Sequence, residues 1–442
     1  MDTQTLAKSL IDVDQKKKYF RIHRSAYKSE EVFQKEMELI FNKCWLYLGH
    51  RTEIPNKGDF VVRNVAGRNL IFQHTRKGEI VAFYNACTHR GAAVCWDKKG
   101  NTKVHSCRYH GWVFDTEGKL KSMNTESGYS DDINDDGHLD LPTARIEEYA
   151  GLYFVNFNGD KAISLHDYLG DYVRGVLDAI QLQSPSRDMV ILPGEHAYSI
   201  NANYKLLVEN SADGYHLGPV HQTYLEFLQE RYEGSKDADV HGTMSNYTAK
   251  GGAKAVGNGH YILESNVPTG RPVGYWIAPW GPEAKKEIEA TRARLEKEVG
   301  FDQMEYICEM QKNMVIFPNL VINDILATTI RTIEPTSAGT MKVNAWCLAP
   351  REESDLLKSI RLDNFVSFLG PAGFGSPDDG SMLNSAQRAI NAAPTEWTEL
   401  SKELQDVDDL RVATGLPDGE THMQGYWTQW DLVMRGIETL EK

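Results

Sequence analysis

Three cysteines and three histidines lie close together in the stretch NACTHRGAAVCWDKKGNTKVHSCRYHGW, residues 85–112. One residue separates Cys87 from His89, two residues separate Cys107 from His110, and seventeen residues stand between the two pairs. Thiolates and imidazoles are common ligands of zinc and iron in proteins. The cysteines outside the stretch are too scattered for a disulfide framework: Cys44, Cys308 and Cys347. The stretch therefore predicts a metal site.

The order of the ligands favours one kind of metal site over another. A structural zinc site usually joins a pair of cysteines to a pair of histidines. A Rieske [2Fe–2S] centre binds one iron through two cysteines and the other through two histidines. Each pair here has one cysteine and one histidine, so each loop would reach both irons, and we favour the Rieske centre over zinc. Gly91 and Gly111 follow the pairs and let backbone amides approach the cluster sulfurs.

Cys95 and His105 belong to the same stretch but lie outside the two pairs. Free cysteine is commonly a small buried hydrophobic residue, and His105 stands on a predicted strand just before Cys107. We expect both to be structural, with Cys95 buried beneath the loop and His105 either packed or on the surface.

A second group of potential ligands lies in the stretch LLVENSADGYHLGPVHQTYLEF, residues 206–227, which contains Asp213, His216 and His221. On an unbroken helix, two residues five apart point about 140° away from each other, so both histidines could not bind one metal. Asp213 stands one helical turn before His216 and could accept the N–H of its imidazole ring.

Gly218-Pro219 stands between these two histidines, and proline ends or kinks a helix. We therefore expect a helix break at this dipeptide that lets the two imidazoles converge. Taken alone, the pattern leaves two interpretations open: a metal site, or two polar histidines satisfied inside a domain interface.

The elements that must position these residues change character near residue 160. Up to that point, short alternating or β-branched runs separated by turn signals predict strands: FVVRNV, NLIFQHT, IVAFYNA, GWVFDTEGKL and GLYFVNF. Later segments have helical apolar spacing: 164–180, 282–300, 356–370 and the stretch after Met382. ATTIRTIEPTSAGTMKVNAWCLAP predicts a β-hairpin. We expect an α+β protein with an all-β domain over residues 45–160 and a second domain over 1–44 and 161–442.

Charge and hydropathy exclude several classes of partner. The chain has 62 acidic and 48 basic residues, a net charge of −14, whereas a nucleic-acid partner would require a basic surface. No run approaches the roughly 20 apolar residues of a membrane span, and the N-terminus lacks the apolar core of a signal peptide. We expect a cytoplasmic protein. The glycine-rich GGAKAVGNG, residues 251–259, lacks the spacing of a dinucleotide-binding motif. A separate protein would therefore have to supply the electrons that a Rieske centre carries.

CTHRG, CRYHGW and DGYHLGPVH resemble the motifs of the Rieske non-haem iron oxygenases. The resemblance, to the α (large, catalytic) subunit of aromatic-ring-hydroxylating dioxygenases, extends over nearly the whole chain. It implies a Rieske domain and a catalytic domain whose antiparallel sheet is flanked by helices, of the helix-grip (START-like) type. It also implies that Cys87 and Cys107 bind one iron and that His89 and His110 bind the other. Arg108 stands where many relatives have proline, which removes no ligand.

The same resemblance implies a mononuclear iron held by two histidines and one carboxylate, with open positions for oxygen. His216 and His221 match the D-x2-H-x4-H motif. FLGPAGFGSPDDGS, residues 368–381, resembles the segment of the family that supplies the carboxylate ligand. In that segment the second of two adjacent aspartates is the ligand, which implies Asp379 in this chain. Adjacent residues do not both face the same metal, so we choose Asp379 over Asp378 as this ligand. The alternative is that this segment only caps the following helix.

The resemblance further implies how the chain assembles and receives electrons. It implies a trimer of α subunits, with or without small β subunits (α3 or α3β3). Asp213 would then connect His110 of the partner subunit to His216, as an electron-transfer residue rather than an iron ligand. A reductase, with or without a ferredoxin, would deliver electrons from NAD(P)H to the Rieske cluster.

The implied reaction adds both atoms of O₂ to an aromatic ring and gives a cis-dihydrodiol. ENSADGYH, GNGHYILES and FLGPAGFGSPDD look most like family members that act on aromatic carboxylates. Other interpretations remain open: an aromatic hydrocarbon as the substrate, monohydroxylation by the same machinery, or a Rieske electron-transfer protein without the second iron.

Overall fold

The computed structural model of the chain describes residues 5–125, 127–231, 251–267 and 270–441. The chain forms two compact units. One consists of Met1–Ile40 with His166–Thr439, and the other of Phe41–Leu165 with Leu440–Lys442. No helix within the described ranges combines the length and the apolar character that crossing a membrane would require.

The N-terminal part of the larger unit is a small hairpin followed by two short helices. Its elements are β1 (Ile11–Asp14), β2 (Tyr19–His23), α1 (Ser25–Lys28) and α2 (Glu30–Glu36), and a π-helical turn follows at Met37–Phe41. Ser29 caps α2, because its side chain accepts a hydrogen bond from the amide of Val32.

Three antiparallel sheets of short strands make up the described residues of the smaller unit. Their orders are β6-β5-β4-β7, β10-β9-β8 and β11-β12-β3. The strands are β3 (Leu46–His50), β4 (Asp59–Val65), β5 (Arg68–His74), β6 (Ile80–Tyr84), β7 (Lys99–Asn101), β8 (Val104–Ser106), β9 (Val113–Asp115), β10 (Leu120–Ser122), β11 (Arg145–Tyr149) and β12 (Leu152–Asn156). Their buried faces enclose a core that includes Phe60, Ile71, Phe83 and Phe114. The prediction of an all-β domain is confirmed.

A nine-stranded antiparallel sheet organises the larger unit. Its order is β13-β20-β19-β18-β17-β16-β15-β22, and β14 also pairs with β20. The strands are β13 (Met189–Ile191), β14 (His196–Ile200), β15 (Gly251–Ala255), β16 (Tyr261–Ser265), β17 (Gln311–Ile316), β18 (Leu320–Asp324), β19 (Thr328–Ser337), β20 (Thr340–Pro350) and β22 (Thr414–Gly415). β21 (Trp397–Glu399) instead extends the N-terminal hairpin. β19 and β20 form the predicted hairpin.

Helices pack around this sheet. They are α3 (Leu165–Gln181), α4 (Tyr204–Asn210), α5 (Leu217–Val220), α6 (Gln222–Arg231), α7 (Gly281–Val299), α8 (Phe301–Cys308), α9 (Asp355–Ser367), α10 (Gly375–Ala392) and α11 (Thr421–Met434). α11 lies against β15 and β16, α4 against β19, and α10 against α4 and α5. The α+β class and the catalytic sheet flanked by helices are therefore confirmed.

One predicted helix begins earlier than expected. The sequence placed helical spacing after Met382, whereas α10 already begins at Gly375. The glycines before it allow this, because a Cβ atom at Gly373 would lie 2.6 Å from the carbonyl oxygens of Val366 and Ser367 at the end of α9. The chain thus turns tightly from α9 into α10, and Asp379 falls in the first turns of a helix rather than in a loop.

Candidate metal centres and the adjoining cavity

The two Cys/His pairs of the smaller unit stand on two loops with the same backbone hydrogen bonds. The amide of Gly91 donates to the carbonyl of Cys87 at 2.7 Å, and the amide of Gly111 donates to the carbonyl of Cys107 at 2.9 Å. Both glycines have φ values near +75°, a conformation that favours glycine. Each loop therefore turns back on itself and presents one thiol and one imidazole.

The side chains of these loops lie together. The rings of His89 and His110 are 4.5 Å apart between centroids, and His89 also stacks on Trp112. Burial, together with the neighbouring thiol of Cys107, raises the pKa of Cys87. The Nδ1 atom of His89 is buried and has no hydrogen-bond partner among the residues that the structure describes. Two adjacent thiols and a buried imidazole nitrogen without a partner fit the donor set of a Rieske cluster.

Cys95 and His105 are buried outside this group. Cys95 belongs to the core beneath the loops, and its amide donates to the side chain of Asn85 at 2.9 Å. His105 forms a 2.7 Å hydrogen bond with Gln73, and burial lowers the pKa of His105 to about 4. Both residues are packed inside the smaller unit, so of the two positions expected for His105 it takes the buried one. All six cysteines of the chain are free.

The two histidines of the second group lie at the boundaries of short helices. The helix break expected at Gly218-Pro219 falls just after this dipeptide, at His221, because α5 ends at Val220. α4 ends at Asn210, a turn carries residues 211–216, and the dipeptide lies inside the short helix α5. Proline is tolerated there because amides in the first turn of a helix have no intrahelical acceptor. The histidines flank α5, with His216 before it and His221 after it.

Asp213 therefore does not share a helical face with His216, although the two side chains meet. Its Oδ1 accepts a hydrogen bond from the amide of Tyr215 at 2.7 Å. Such local bonds of aspartate compete with helix formation and favour a turn. Its Oδ2 lies 3.1 Å from Nδ1 of His216. The predicted contact is present, but a turn makes it.

His216, His221 and Asp379 converge on one point. The Nε2 atoms of the two histidines lie 3.5 and 3.3 Å from the same carboxylate oxygen, Oδ1 of Asp379. The potential ligand atoms of the three residues all lie within 4.8 Å of one another. Adjacent donors on one metal ion are about 3 Å apart for bonds of about 2.1 Å. The set has the composition of a 2-His-1-carboxylate iron site.

Electrostatics in this group follow from burial and from the opposite charges. Burial acts to lower the pKa of His216, but hydrogen bonds to Asp213 and Asp379 outweigh it and raise that pKa to about 9. Burial acts to raise the pKa of Asp379, yet the two histidines hold it below its usual range. The carboxylate of Asp379 is thus ionised at neutral pH, as ligation of a cation requires.

The sequence did not single out Asn210 as a site residue. Its side-chain amide donates to Oδ1 of Asp379 at 3.1 Å, from the last position of α4. Asp378, the neighbour of Asp379, is only half-buried and does not line the cavity beside the three potential ligands. No motif marked Asn210, because its contact with α10 arises only in the folded chain.

A cavity of about 110 Å³ adjoins the three potential ligands. The helical side of its lining is largely apolar: Leu217, Tyr224, Leu225, Leu228, Phe368 and Leu369. The strands of the sheet contribute mostly polar side chains: Ser265, Gln311, Asn313, Asn323 and Arg331. None of these polar residues could be recognised from the sequence, because each occupies an ordinary alternating position on a strand.

Comparison with known proteins gives the same two parts. Residues 193–436 match the catalytic domain of the ring-hydroxylating α subunits, and residues 44–137 match the Rieske [2Fe–2S] domain. Together with the sheet and the two side-chain groups, these matches define a two-domain iron oxygenase. The chain belongs to the family of ring-hydroxylating dioxygenase α subunits.

Individual relatives agree with that assignment. The 2-halobenzoate 1,2-dioxygenase large subunit of Burkholderia cepacia is 30% identical, over 96% of this chain and 91% of its own length. The anthranilate 1,2-dioxygenase large subunit of Acinetobacter baylyi is 30% identical, over 98% and 94%. A structure of naphthalene 1,2-dioxygenase with indole bound superposes with a TM-score of 0.80 at 25% identity, over 94% and 92% of the two chains.

Membership of the family establishes the coarse biochemistry. The chain is an oxidoreductase and the oxygenase component of a multicomponent system, with a Rieske [2Fe–2S] cluster and a mononuclear non-haem iron as cofactors. Oxygenase components of this family work with a reductase or a ferredoxin, which pass on electrons from NAD(P)H, and they are typically multimeric.

Proposed function

We propose that this chain catalyses the O₂-dependent cis-dihydroxylation of a single-ring aromatic carboxylate. The observation that carries the proposal is the cavity, in which His216, His221 and Asp379 adjoin an apolar wall and a polar sheet. An aromatic acid has the matching parts, because its ring is apolar and its carboxylate is polar. Of the three similar proteins described above, the two large subunits are named for aromatic carboxylates and the superposed structure for naphthalene.

The volume of the cavity favours one ring over several. A cavity of about 150 Å³ is large enough for benzene. The cavity beside the potential iron ligands has a volume of about 110 Å³, which is close to that value. The volume therefore supports a substrate with one ring.

We assign the ligands of both cofactors in this proposal. His216, His221 and Asp379 would bind the mononuclear iron. The cluster ligands would be Cys87 and Cys107 on one iron and His89 and His110 on the other. When bound, the cluster supplies single electrons and the mononuclear iron supplies the oxygen chemistry.

The protein's own groups would prepare the second centre. Asn210 would hold the carboxylate of Asp379 through its amide, and Asp213 would fix the orientation of the His216 ring. The apolar wall would seat the aromatic ring and exclude water from it.

The assembly and the domain limits belong to the same proposal. We assign residues 45–160 to the Rieske domain, and residues 1–44 and 161–442 to the catalytic domain. The active oligomer would be α3 or α3β3, in which Asp213 connects His110 of the partner subunit to His216. The electrostatic contact of Asp213 with His216 supports this role, since it leaves the carboxylate beside the ring that would receive the electron.

The proposal is tested by product analysis with the purified, iron-loaded protein and a reductase system. Benzoate and naphthalene are incubated separately under ¹⁸O₂, and the products are identified by mass spectrometry. We expect a benzoate-derived cis-dihydrodiol that carries two ¹⁸O atoms. A product with one ¹⁸O atom would indicate monohydroxylation, and turnover of naphthalene without turnover of benzoate would contradict the substrate class.

A further inference from the structure

Arg331 is a buried cation in the cavity beside the potential iron ligands. It stands on β19, its side chain lines the cavity, and only 3% of the residue is exposed. Burial removes a charge from water at a large cost unless the charge is paired and hydrogen-bonded. Among the described residues that line the cavity, Arg331 alone carries a permanent positive charge.

The hydrogen bonds of Arg331 do not satisfy its guanidinium. Its Nη2 donates to the hydroxyl of Ser211 at 2.8 Å, and its buried Nε has no partner within the described ranges of the chain. In the described part of the chain, no carboxylate forms an ion pair with Arg331, whereas Arg271 and Arg361 are paired with Asp324 and Glu353. An arginine offers five N–H donors, so most of this donor capacity is unused.

The neighbours of Arg331 on the sheet are neutral. Arg331 pairs with Val321 of β18, and Asn323 lies two residues from Val321 on the same face. Asn323 donates to the side chain of Asn313 on β17 at 2.7 Å. Asp213 and Asp379, which also line the cavity, are bound to His216. The sheet side of the cavity therefore presents a cation among amides, with the protein's own carboxylates engaged elsewhere.

We propose that Arg331 binds the carboxylate of the substrate and thereby selects aromatic acids over neutral aromatics. The inference rests on the proposed function and names the residue that determines its substrate class. The planar guanidinium matches a carboxylate through two parallel hydrogen bonds. With the carboxylate held at the sheet, the ring lies against the apolar helical wall, in the cavity that His216, His221 and Asp379 adjoin.

A structural role for Arg331 makes a different prediction. The hydrogen bond to Ser211 ties β19 to the turn after α4, and Ser211 itself donates to the carbonyl of Leu207 at 2.6 Å. If Arg331 only held this turn, removing the serine hydroxyl would reproduce the loss of the arginine. Ser211→Ala is therefore the matched control, because it deletes the protein partner and keeps the cation.

The test measures the binding of benzoate and of its neutral analogue benzamide to the iron-loaded protein by titration calorimetry. For Arg331→Met we expect the Kd of benzoate to rise on the order of 100-fold, as for the loss of one partner of a buried charge pair, while the Kd of benzamide changes little. Arg331→Lys should retain part of the preference for benzoate over benzamide, since lysine keeps the positive charge but cannot form the two parallel hydrogen bonds of a guanidinium. Ser211→Ala should keep the preference for benzoate.

Two results would overturn the inference. One is an Arg331→Met protein that binds benzoate as the unmodified protein does. The other is that Arg331→Met and Ser211→Ala both weaken the binding of benzoate and of benzamide to the same extent. Arg331 would then only hold the turn after α4. If the unmodified protein does not bind benzoate, the proposed substrate class fails first, and that failure is seen before any variant is compared. The content of mononuclear iron reports whether the larger unit, which carries Ser211 and Arg331, is folded in each variant.

Discussion

Asp213 fixes the imidazole of His216 through a 3.1 Å contact between Oδ2 and Nδ1. The contact holds a ring proton on Nδ1, so the ring would bind a metal through Nε2, once Nε2 has lost its own proton. That Nε2 atom lies 3.5 Å from Asp379, on the other side of the ring. His221 has no such contact with a described residue, because its Nδ1 is buried without a partner there and its ring packs against Phe368. The two histidines are therefore positioned by different means.

This relationship makes Asp213→Asn informative. Asparagine keeps the size of the side chain but loses the charge beside His216, so we expect both iron centres to remain and product formation to fall on the order of 100-fold. In a single turnover, the chemically reduced cluster should reoxidise quickly in the unmodified protein after substrate and oxygen are added. In Asp213→Asn the cluster should stay reduced or reoxidise far more slowly.

The control for Asp213→Asn is Asp171→Asn, which removes an exposed carboxylate from the same unit. It should reoxidise at the unmodified rate. Normal reoxidation and normal product in Asp213→Asn would remove Asp213 from the electron path and leave it the role of holding the turn before α5.

The adjacent aspartates of α10 provide a second matched pair. Asp379 faces the histidines and is 7% exposed, whereas Asp378 is half-buried outside the cavity. Asp379→Ala should lower the iron content from about three to about two atoms per chain and abolish hydroxylation, with the Rieske spectrum intact. Asp378→Ala should keep all of its iron. Iron analysis of the two proteins decides between them, and loss of iron in Asp378→Ala alone would reverse the assignment.

Local spacing was sufficient to predict the candidate cluster site but not the geometry of the second site. Cys87 and His89 are close in sequence, so their loop could be inferred from the motif and from Gly91. His216 and Asp379 lie on separate elements and meet only because α10 packs against α4 and α5. The family resemblance supplied that pairing, and the residues themselves did not.

Helical periodicity also gave a wrong prediction for the segment between α4 and α5. It treated Asp213 and His216 as neighbours on one helix, but the side chain of Asp213 binds a nearby amide and favours a turn. Arg331 could not be predicted at all. Its place in TTIRTIEP is an ordinary strand position, and its unusual property, a buried charge without a counter-ion, exists only in the folded sheet.

The buried cysteines of the smaller unit test the cluster assignment. Cys107 and Cys95 are 3% and 7% exposed and belong to the same core, so replacing either with alanine removes a similar volume. Cys107→Ala should lose the red-brown colour, the acid-labile sulfide and about two iron atoms per chain, because the cluster needs both of its thiolates. His110→Ala should lose the colour as well. Cys95→Ala should keep the spectrum; loss of the cluster there and its retention in Cys107→Ala would contradict the assignment.

The last prediction concerns the stability of the larger unit in acid. His260 is 1% exposed, its Nε2 donates to the carbonyl of Tyr168 at 2.7 Å, and its Nδ1 accepts the amide of Phe317 at 2.9 Å. Both ring nitrogens are thus satisfied only in the neutral form, and burial lowers the pKa of His260 to about 4. The unfolded chain has the ordinary value near 6.5 and takes up a proton first. The contribution of neutral His260 to the free energy of unfolding is therefore complete above pH 6.5 and is lost as the pH falls towards 4.

Between pH 7 and pH 5 this difference should remove about 2 kcal/mol from the free energy of unfolding. Glutamine in His260→Gln keeps a donor and an acceptor but does not titrate. The free energy of unfolding of this variant should therefore fall by about 2 kcal/mol less than that of the unmodified protein over the same pH interval. Urea unfolding followed by tryptophan fluorescence at both pH values measures the difference. His166→Gln, at an exposed position, should behave as the unmodified protein does. An equal acid loss in His260→Gln and in the unmodified protein would show that protonation of His260 does not limit the stability of the larger unit.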